Sequence, residues 1–312
     1  MTAHRILVVG GAGLIGGAAA LHLAGLGHAV TISGRNAPVA PALMRLPFLK
    51  ASFLDEDLDR ETLARFDTLV FAAGNDIRQL PPGADEADYF HRANSIGVPA
   101  FFARARAAGM RRAVYVGSYY SCVLPPDRIA ANGYTLSRLR ADEGVRALSA
   151  DGFRVCSLNA PFVIGHIEGV AALSVEHSVR YLMRRFAPDG PRLAVAGGGN
   201  FMSTLSFAEA VAGAIEHGEP GKGYLVGDEN WRFADYYDAI LAALGSGERS
   251  EVRDVDNPSM PDWTLYAGRG ATVAYEPDPD MVARLGYRRH DVARVIAGMV
   301  PYYRRVIEQT GG

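Results

Sequence analysis

The sequence predicts an α/β protein, a doubly wound parallel sheet built mainly from the first half of the chain, followed by a smaller C-terminal lobe. Three observations lead there. Apolar runs rich in β-branched residues (Ile6 to Val9, Val30 to Ser33, Thr68 to Ala72, Val114 to Val116 and Phe153 to Leu158) are continuous rather than alternating, as strands buried on both faces read. Stretches with helical character lie between them, notably Gly13 to Leu26, Ala93 to Ala108 and Tyr134 to Ala150, and strand–helix–strand repetition implies crossovers in one parallel sheet. The first strand also runs straight into the turn Gly10-Gly11-Ala12-Gly13-Leu14-Ile15-Gly16.

That turn carries the first functional expectation. Glycines at Gly10, Gly13 and Gly16 permit a tight bend, let the backbone approach a pyrophosphate, and let helix and strand pack closely. The unpaired N–H groups of the helix that Leu14 and Ile15 open would bind the anion. A Rossmann-type dinucleotide site is therefore expected. After the second strand come Ser33-Gly34-Arg35-Asn36, with no acid to accept from a ribose 2′-hydroxyl. Ser33 and Asn36 can hydrogen-bond there and Arg35 can supply a forked, charge-assisted bond to a 2′-phosphate, so the expected cofactor is NADP(H) in preference to NAD(H). An arginine serving only solubility is the alternative. Asp55, after the third strand, is either an acceptor for the adenine amino group or a helix N-cap.

The dinucleotide domain is expected over residues 1–160. After Pro161 the segments become less regular and richer in Pro and Gly, and residues 161–312 are expected to form mainly a substrate lobe. Phe207 to His217 reads as a helix and Gly223 to Val226 as a strand, so about 201–230 should return to the first sheet.

Composition removes several function classes. The 312 residues carry 32 basic and 34 acidic side chains, a formal net charge of -2, leaving no excess for phosphate backbones, so no nucleic-acid partner is expected. Cys122 and Cys156 are far apart and form no Cys-x-x-Cys pair, so neither a disulfide framework nor a metal site is expected. Leu14 to Leu26, the longest apolar helical stretch, is broken by glycines and His22 and falls short of the ~20 residues a membrane span needs. With no leader pattern at the N-terminus, a cytoplasmic location without membrane attachment is expected.

The chain resembles the extended short-chain dehydrogenase/reductase family, in its aldehyde reductase and dihydroflavonol reductase branch, over nearly its whole length. The matching pieces are the glycine turn, Val70-Phe71-Ala72-Ala73-Gly74, His91-Arg92-Ala93-Asn94, Val114-Tyr115-Val116-Gly117-Ser118, Tyr134-Thr135-Leu136-Ser137-Arg138 and Ser157 to Gly165. The resemblance implies cofactor contacts at Ala72, Ala73, Gly74, Arg138, Pro161 and Val163. It also implies Tyr134 as general acid/base, Ser118 holding the substrate oxygen, and Asn94 fixing its helix and the relay behind it. Such a phenol and hydroxyl suit hydride transfer between nicotinamide and a carbonyl carbon, which needs one proton moved at the oxygen. Ser121 is a second candidate hydroxyl.

One departure stands out. The family pattern is Tyr-x-x-x-Lys, and this chain has Arg138 in the lysine position. Arginine keeps the charge that favours a phenolate but cannot pass a proton. The residues expected to face a substrate (Tyr119, Tyr120, Phe162, His166 and Phe201, with Ser121) are mostly aromatic, which points to a small, largely apolar molecule. Reduction of an aldehyde or ketone, or oxidation of the alcohol, is the expected reaction. Two alternatives remain: an NAD(P)-retaining sugar-nucleotide epimerase or dehydratase, and a non-catalytic NADP(H)-binding regulatory protein. The helices at Ala93 to Ala108 and Tyr134 to Ala150 correspond to those that pair in dimers of relatives, so a homodimer is expected.

Overall fold

Alternating inward and outward residues of each central strand decide the layers. A computed structural model describes residues 3–310, apart from 56, 77–78 and 187–188. The first part of the chain runs β1 (Arg5–Val9), α1 (Leu14–Gly25), β2 (Ala29–Gly34), β3 (Phe48–Lys50), α2 (Arg60–Leu63), β4 (Thr68–Phe71) and α3 (Glu86–Phe90). A π-helical stretch, His91–Gly97, joins α3 to α4 (Val98–Ala107), and then come β5 (Arg112–Ser118), α5 (Tyr120–Val123), α6 (Pro126–Ala131), α7 (Gly133–Ala147) and β6 (Arg154–Ala160). Ile6, Val8, Ile32, Val70 and Val114 point to one face, against Ala19, Ala20 and Leu23 of α1. Leu7, Val9, Leu69, Phe71 and Tyr115 point to the other, against Val98, Phe101 and Phe102 of α4 and Ala141 and Val145 of α7, as period-2 alternation demands.

The remainder runs β7 (Phe162–Ile164), α8 (Leu173–Leu182), β8 (Leu193–Val195), β9 (Gly198–Ser203), α9 (Thr204–His217), β10 (Gly223–Leu225), β11 (Glu229–Arg232), α10 (Phe233–Ala243), β12 (Glu251–Arg253), β13 (Thr272–Val273), α11 (Pro279–Leu285) and α12 (Val292–Gln309). The main sheet has seven strands in the order β10-β6-β5-β4-β1-β2-β3, all pairs parallel. Thus β10 closes one edge of the sheet and α9 lies on the α1 face, with Phe207, Val211 and Ile215 in the same core as Ile6 and Val8. A four-stranded sheet of β11, β9, β13 and β7 and a two-stranded one of β12 and β8 belong to the second lobe. Among the described residues, no helix is long and apolar enough to cross a membrane.

Helix α11 meets α9 at Gly213, where an added Cβ would overlap the Leu285 carbonyl. The obstruction is backbone and cannot swing aside. Gly213→Ala is expected to cost about 1–3 kcal/mol, the usual range for overpacking, read as a lower urea midpoint with an unchanged slope.

Candidate functional site

The glycine turn is shaped by its neighbours. Gly10 has φ +81°, in the left-handed region, and a Cβ there would stand 2.7 Å from the Ala73 nitrogen. A Cβ on Gly16 would overlap the Gly10 carbonyl, so helix and turn pack backbone to backbone. Gly13 is different: it is exposed, and the nearest atom to an added Cβ is the Gly10 oxygen, 3.5 Å away. It is the N-cap of α1, makes no side-chain cap bond, and no acid occupies the first turn. Open N–H groups at the positive end of a twelve-residue helix suit a pyrophosphate, with Leu14 and Ile15 half-buried in the opening turn.

At the end of β2, Ser33 is buried and its backbone oxygen accepts from Gly10 N (2.8 Å). Its Oγ has no hydrogen-bond partner, an orphaned hydroxyl of the kind a bound ribose or phosphate would satisfy. Arg35 and Asn36 beside it are exposed. Asp55 also lies exposed and caps no helix; Asp59 does that for α2, accepting from Thr62 N (2.7 Å). The N-cap alternative for Asp55 is thereby corrected: the helix starts four residues later. The turn around Asp55 is fixed by Arg104, which donates to the Asp55 and Phe53 carbonyls (both 3.0 Å).

Asn94 is buried in the π-helical stretch. Its Oδ1 accepts from Asn75 N (3.2 Å), and its Nδ2 donates to the Asn75 carbonyl (2.9 Å) and to Ser137 Oγ (3.1 Å). One amide thus ties the loop after β4 (Ala72, Ala73, Gly74 and Asn75) to the first turn of α7. Pro99 follows in the first turn of α4, where its missing N–H is tolerated.

Tyr134 stands in that first turn of α7. Asn132 caps the helix through Thr135 N (2.9 Å) and Gly133 packs closely on Ala87 of α3, which fixes where the ring begins. The half-buried ring lies 4.8 Å from Tyr266 at an interplanar angle of 20°, and 5.5 Å from Phe90 at 70°. Arg138, one turn on, is buried; its Nη2 donates to the Val116 carbonyl (2.6 Å), its Nη1 abuts Gly74, and its guanidinium lies 5.2 Å over the Tyr115 ring. Burial opposes its charge, but Tyr115, Tyr134, Asp76 and Asp142 more than offset that and hold its pKa above the ordinary value. The guanidinium is therefore a fixed cation beside Tyr134. Asp142 in turn pairs with Arg146 (2.8 Å).

The two candidate serines separate here. Ser121 Oγ donates to the Ser118 carbonyl (2.6 Å) and is buried, so its hydroxyl is already engaged. Ser118, the last residue of β5, is half-buried and its neighbour Tyr119 donates from its backbone to the Ala160 carbonyl (3.0 Å).

Aromatic rings continue from Tyr134. Tyr266 packs on Tyr120 (5.3 Å), Tyr120 on Tyr119 (4.2 Å), Tyr119 on Phe162 (5.9 Å) and Phe162 on Phe201 (5.3 Å). Tyr120, pushed up to about 12 by burial, stays neutral at ordinary pH. Phe201 lies behind Phe162 in the core of the second lobe. His166 is not brought into this group: it stacks on Tyr302 of α12 at 4.8 Å. Pro161 joins β6 to β7, and Val163 is held in β7 opposite Met202. Sequence reasoning missed Phe90 and Tyr266. Phe90 lies one helical turn before Asn94, a spacing that offered a signal; Tyr266 sits in a Pro- and Gly-rich stretch that offered none.

A match to the model of the NAD-dependent epimerase/dehydratase family covers residues 6–227. The chain belongs to that family. Its fold is that of the extended short-chain dehydrogenases/reductases, and its cofactor class is a nicotinamide dinucleotide. Solved structures similar to it include that of gox2253 (TM-score 0.77, 18% identity, 97% of this chain and 98% of the other). Others are WbmH of Bordetella bronchiseptica in complex with NAD+ (0.73, 16%, 97% and 99%) and the UDP-N-acetylglucosamine 4-epimerase of Bacillus cereus (0.71, 16%, 97% and 100%). No curated protein matches by sequence.

Partly desolvated ionisable groups give this family member a direction of acid sensitivity. Burial lowers His22, His28 and His166 below the ordinary histidine value. A histidine held neutral in the fold binds fewer protons than in the unfolded chain, so the stability is whole above about pH 6.5 and is lost as pH falls from there through the folded value. Asp67 and Glu209 add to this at lower pH: burial raises both, but hydrogen bonds, from Arg5 and Thr68 in one case and Arg288 in the other, outweigh it and hold them below the carboxylate range. Asp228, raised by burial, works the opposite way. The urea midpoint is expected to be lower at pH 5.5 than at pH 7.5; an equal or higher midpoint contradicts this.

Proposed function

We propose that the chain is an NADP(H)-dependent oxidoreductase that reduces the carbonyl of a small, largely apolar aldehyde or ketone, or oxidises the corresponding alcohol. The observation that carries the reading is the ring series from Tyr134 through Tyr266, Tyr120 and Tyr119 to Phe162. Tyr119 and Tyr120 are buried in a core with Leu124 and Ile129, and an aromatic series without a cation favours an apolar substrate with one polar end over a nucleotide diphosphate, which needs cations.

Bound NADPH would supply the hydride. The chain's own part is at the oxygen: Tyr134 Oη gives its proton to the carbonyl oxygen as the carbon accepts the hydride, and Ser118 Oγ donates a hydrogen bond that holds that oxygen in place. Arg138 favours the phenolate left behind. Gly10, Gly13 and Gly16 with the first turn of α1 would hold the pyrophosphate, and Ser33 and Arg35 the adenosine 2′-phosphate. Asn94 keeps the loop at Gly74 and the first turn of α7 in one frame.

The epimerase/dehydratase reading is favoured by the family and by the Bacillus cereus 4-epimerase among the similar structures. Cofactor content separates the two, because an enzyme that regenerates its cofactor in each cycle keeps it bound, whereas a reductase exchanges it. Freshly purified protein is expected to release little nicotinamide nucleotide on acid denaturation and to bind added NADPH by fluorescence titration. Near-stoichiometric NAD(P) in the purified protein would move the reading to the retaining enzyme.

A further inference from the structure

Tyr266 comes from the second lobe, yet its ring lies against the tyrosine that the proposed reaction uses. It follows a 3-10 turn at Asp262–Thr264, and the turn is braced: Thr264 N donates to the Pro261 carbonyl (2.8 Å), Gly268 N to the Leu265 carbonyl (2.7 Å), and Arg269 Nε to Asp262 Oδ1 (2.9 Å). Leu265, one residue before, is anchored in the second core. The ring is held between Tyr134, nearly parallel at 4.8 Å, and the edge of Tyr120 at 5.3 Å. A second lobe that only enclosed substrate would not need to place a ring on the face of Tyr134.

The physical effect of that contact is directional. A hydrocarbon face laid on a phenol excludes the water that an adjacent phenolate needs, and so disfavours ionisation. Among the described residues, the charged and titratable groups coupled to Tyr134 include Arg138 on its own helix, Tyr115 on β5, Tyr120 on α5 and Tyr266 itself, with Asp76 after β4 and Glu86 on α3 acting on Tyr266 beside it. Arg138 pulls toward the phenolate and the Tyr266 ring pulls back. Burial, then the nearness of Tyr134, holds the Tyr266 phenol itself above its ordinary range, so this ring stays neutral at ordinary pH.

We infer that Tyr266 is a positioning residue for Tyr134: the second lobe covers one face of the proton donor, orients it, and keeps it protonated to higher pH than Arg138 alone would allow. The inference rests on Tyr134 being the proton donor of the proposed reaction, but its test does not require turnover. Ultraviolet phenolate absorbance is titrated in the parent and in Tyr134→Phe, and the difference isolates Tyr134. The same pair is then made in the Tyr266→Phe and Tyr266→Ala backgrounds.

The Tyr134 midpoint is expected to fall by about one pH unit in Tyr266→Ala and to stay within roughly a third of a unit in Tyr266→Phe, which keeps the ring. Should the alanine variant fold poorly, Tyr266→Gln, of similar reach but without a ring, is expected to show the same fall. In an active enzyme, the alkaline limb of kcat moves by the same amount, while KM for NADPH does not. An unchanged midpoint without the ring, or an equal fall in Tyr266→Phe, would overturn the assignment. A parent whose Tyr134 midpoint shifts as expected but which reduces no carbonyl would overturn the reductase reading while upholding the effect of Tyr266 on the Tyr134 midpoint.

Discussion

Tyr134→Phe is expected to lower kcat for carbonyl reduction by about 100- to 10,000-fold, the range general acid catalysis supplies, with NADPH affinity and thermal midpoint close to the parent's. The substitution removes one oxygen and keeps the ring, so the contacts with Phe90 and Tyr266 survive. Since the hydroxyl delivers its proton only as the carbonyl oxygen gains charge, its loss falls on kcat and kcat/KM alike. Stopped-flow hydride transfer separates this from slow product release. A loss under about threefold would move the proton donor to another group, Ser118 first.

Arg35→Ala is expected to weaken NADPH binding by about 10- to 100-fold while changing NADH binding little. Hydrogen bonds to charged groups are worth roughly 1.5–3 kcal/mol, and 1.4 kcal/mol is about tenfold in affinity. Arg35 is exposed, so salt should erode the parent's preference for NADPH and leave the variant almost indifferent. Ser33, whose buried Oγ has no partner in the protein, would be a second donor. Fluorescence titration of both nucleotides at two salt concentrations checks the pair of effects. Equal losses for NADPH and NADH would mean that Arg35 acts on the fold or on the pyrophosphate and does not read the 2′-phosphate.

The dinucleotide half was legible because its signals are local. β1, the glycine turn and α1 are one continuous segment in which the residue types state the geometry, and Tyr134 to Arg138 lie on one face of a single helix. The π-helical stretch at His91–Gly97 was not legible, since the apolar spacing that marks a helix does not tell a π turn from an α turn. α12 has buried residues at Val292, Ile296, Met299, Tyr303 and Ile307, a helical spacing, but Pro301 inside it masks the pattern. The second lobe's sheet was not readable, since β7, β9, β11 and β13 are two to six residues long and pair across long sequence separations. Tyr266 was invisible for the same reason: its position over Tyr134 depends on how that lobe closes on α7. α9 packs in the α1-face core and β10 pairs with β6 at the edge of the main sheet.

In the proposed reaction, Tyr134, Ser118 and a nicotinamide cofactor bound at the glycine turn act on a carbonyl. The direct measurement adds hydrophobic aldehydes and ketones, one at a time, to the protein with NADPH and follows the reduced-nicotinamide absorbance. Carbonyl-dependent loss of that absorbance is expected, with one alcohol formed per NADPH consumed and little turnover in Tyr134→Phe. Tight NADPH binding with no loss for any carbonyl in the panel would contradict it, and would leave a dinucleotide-binding protein whose buried Arg138 holds a site without this chemistry.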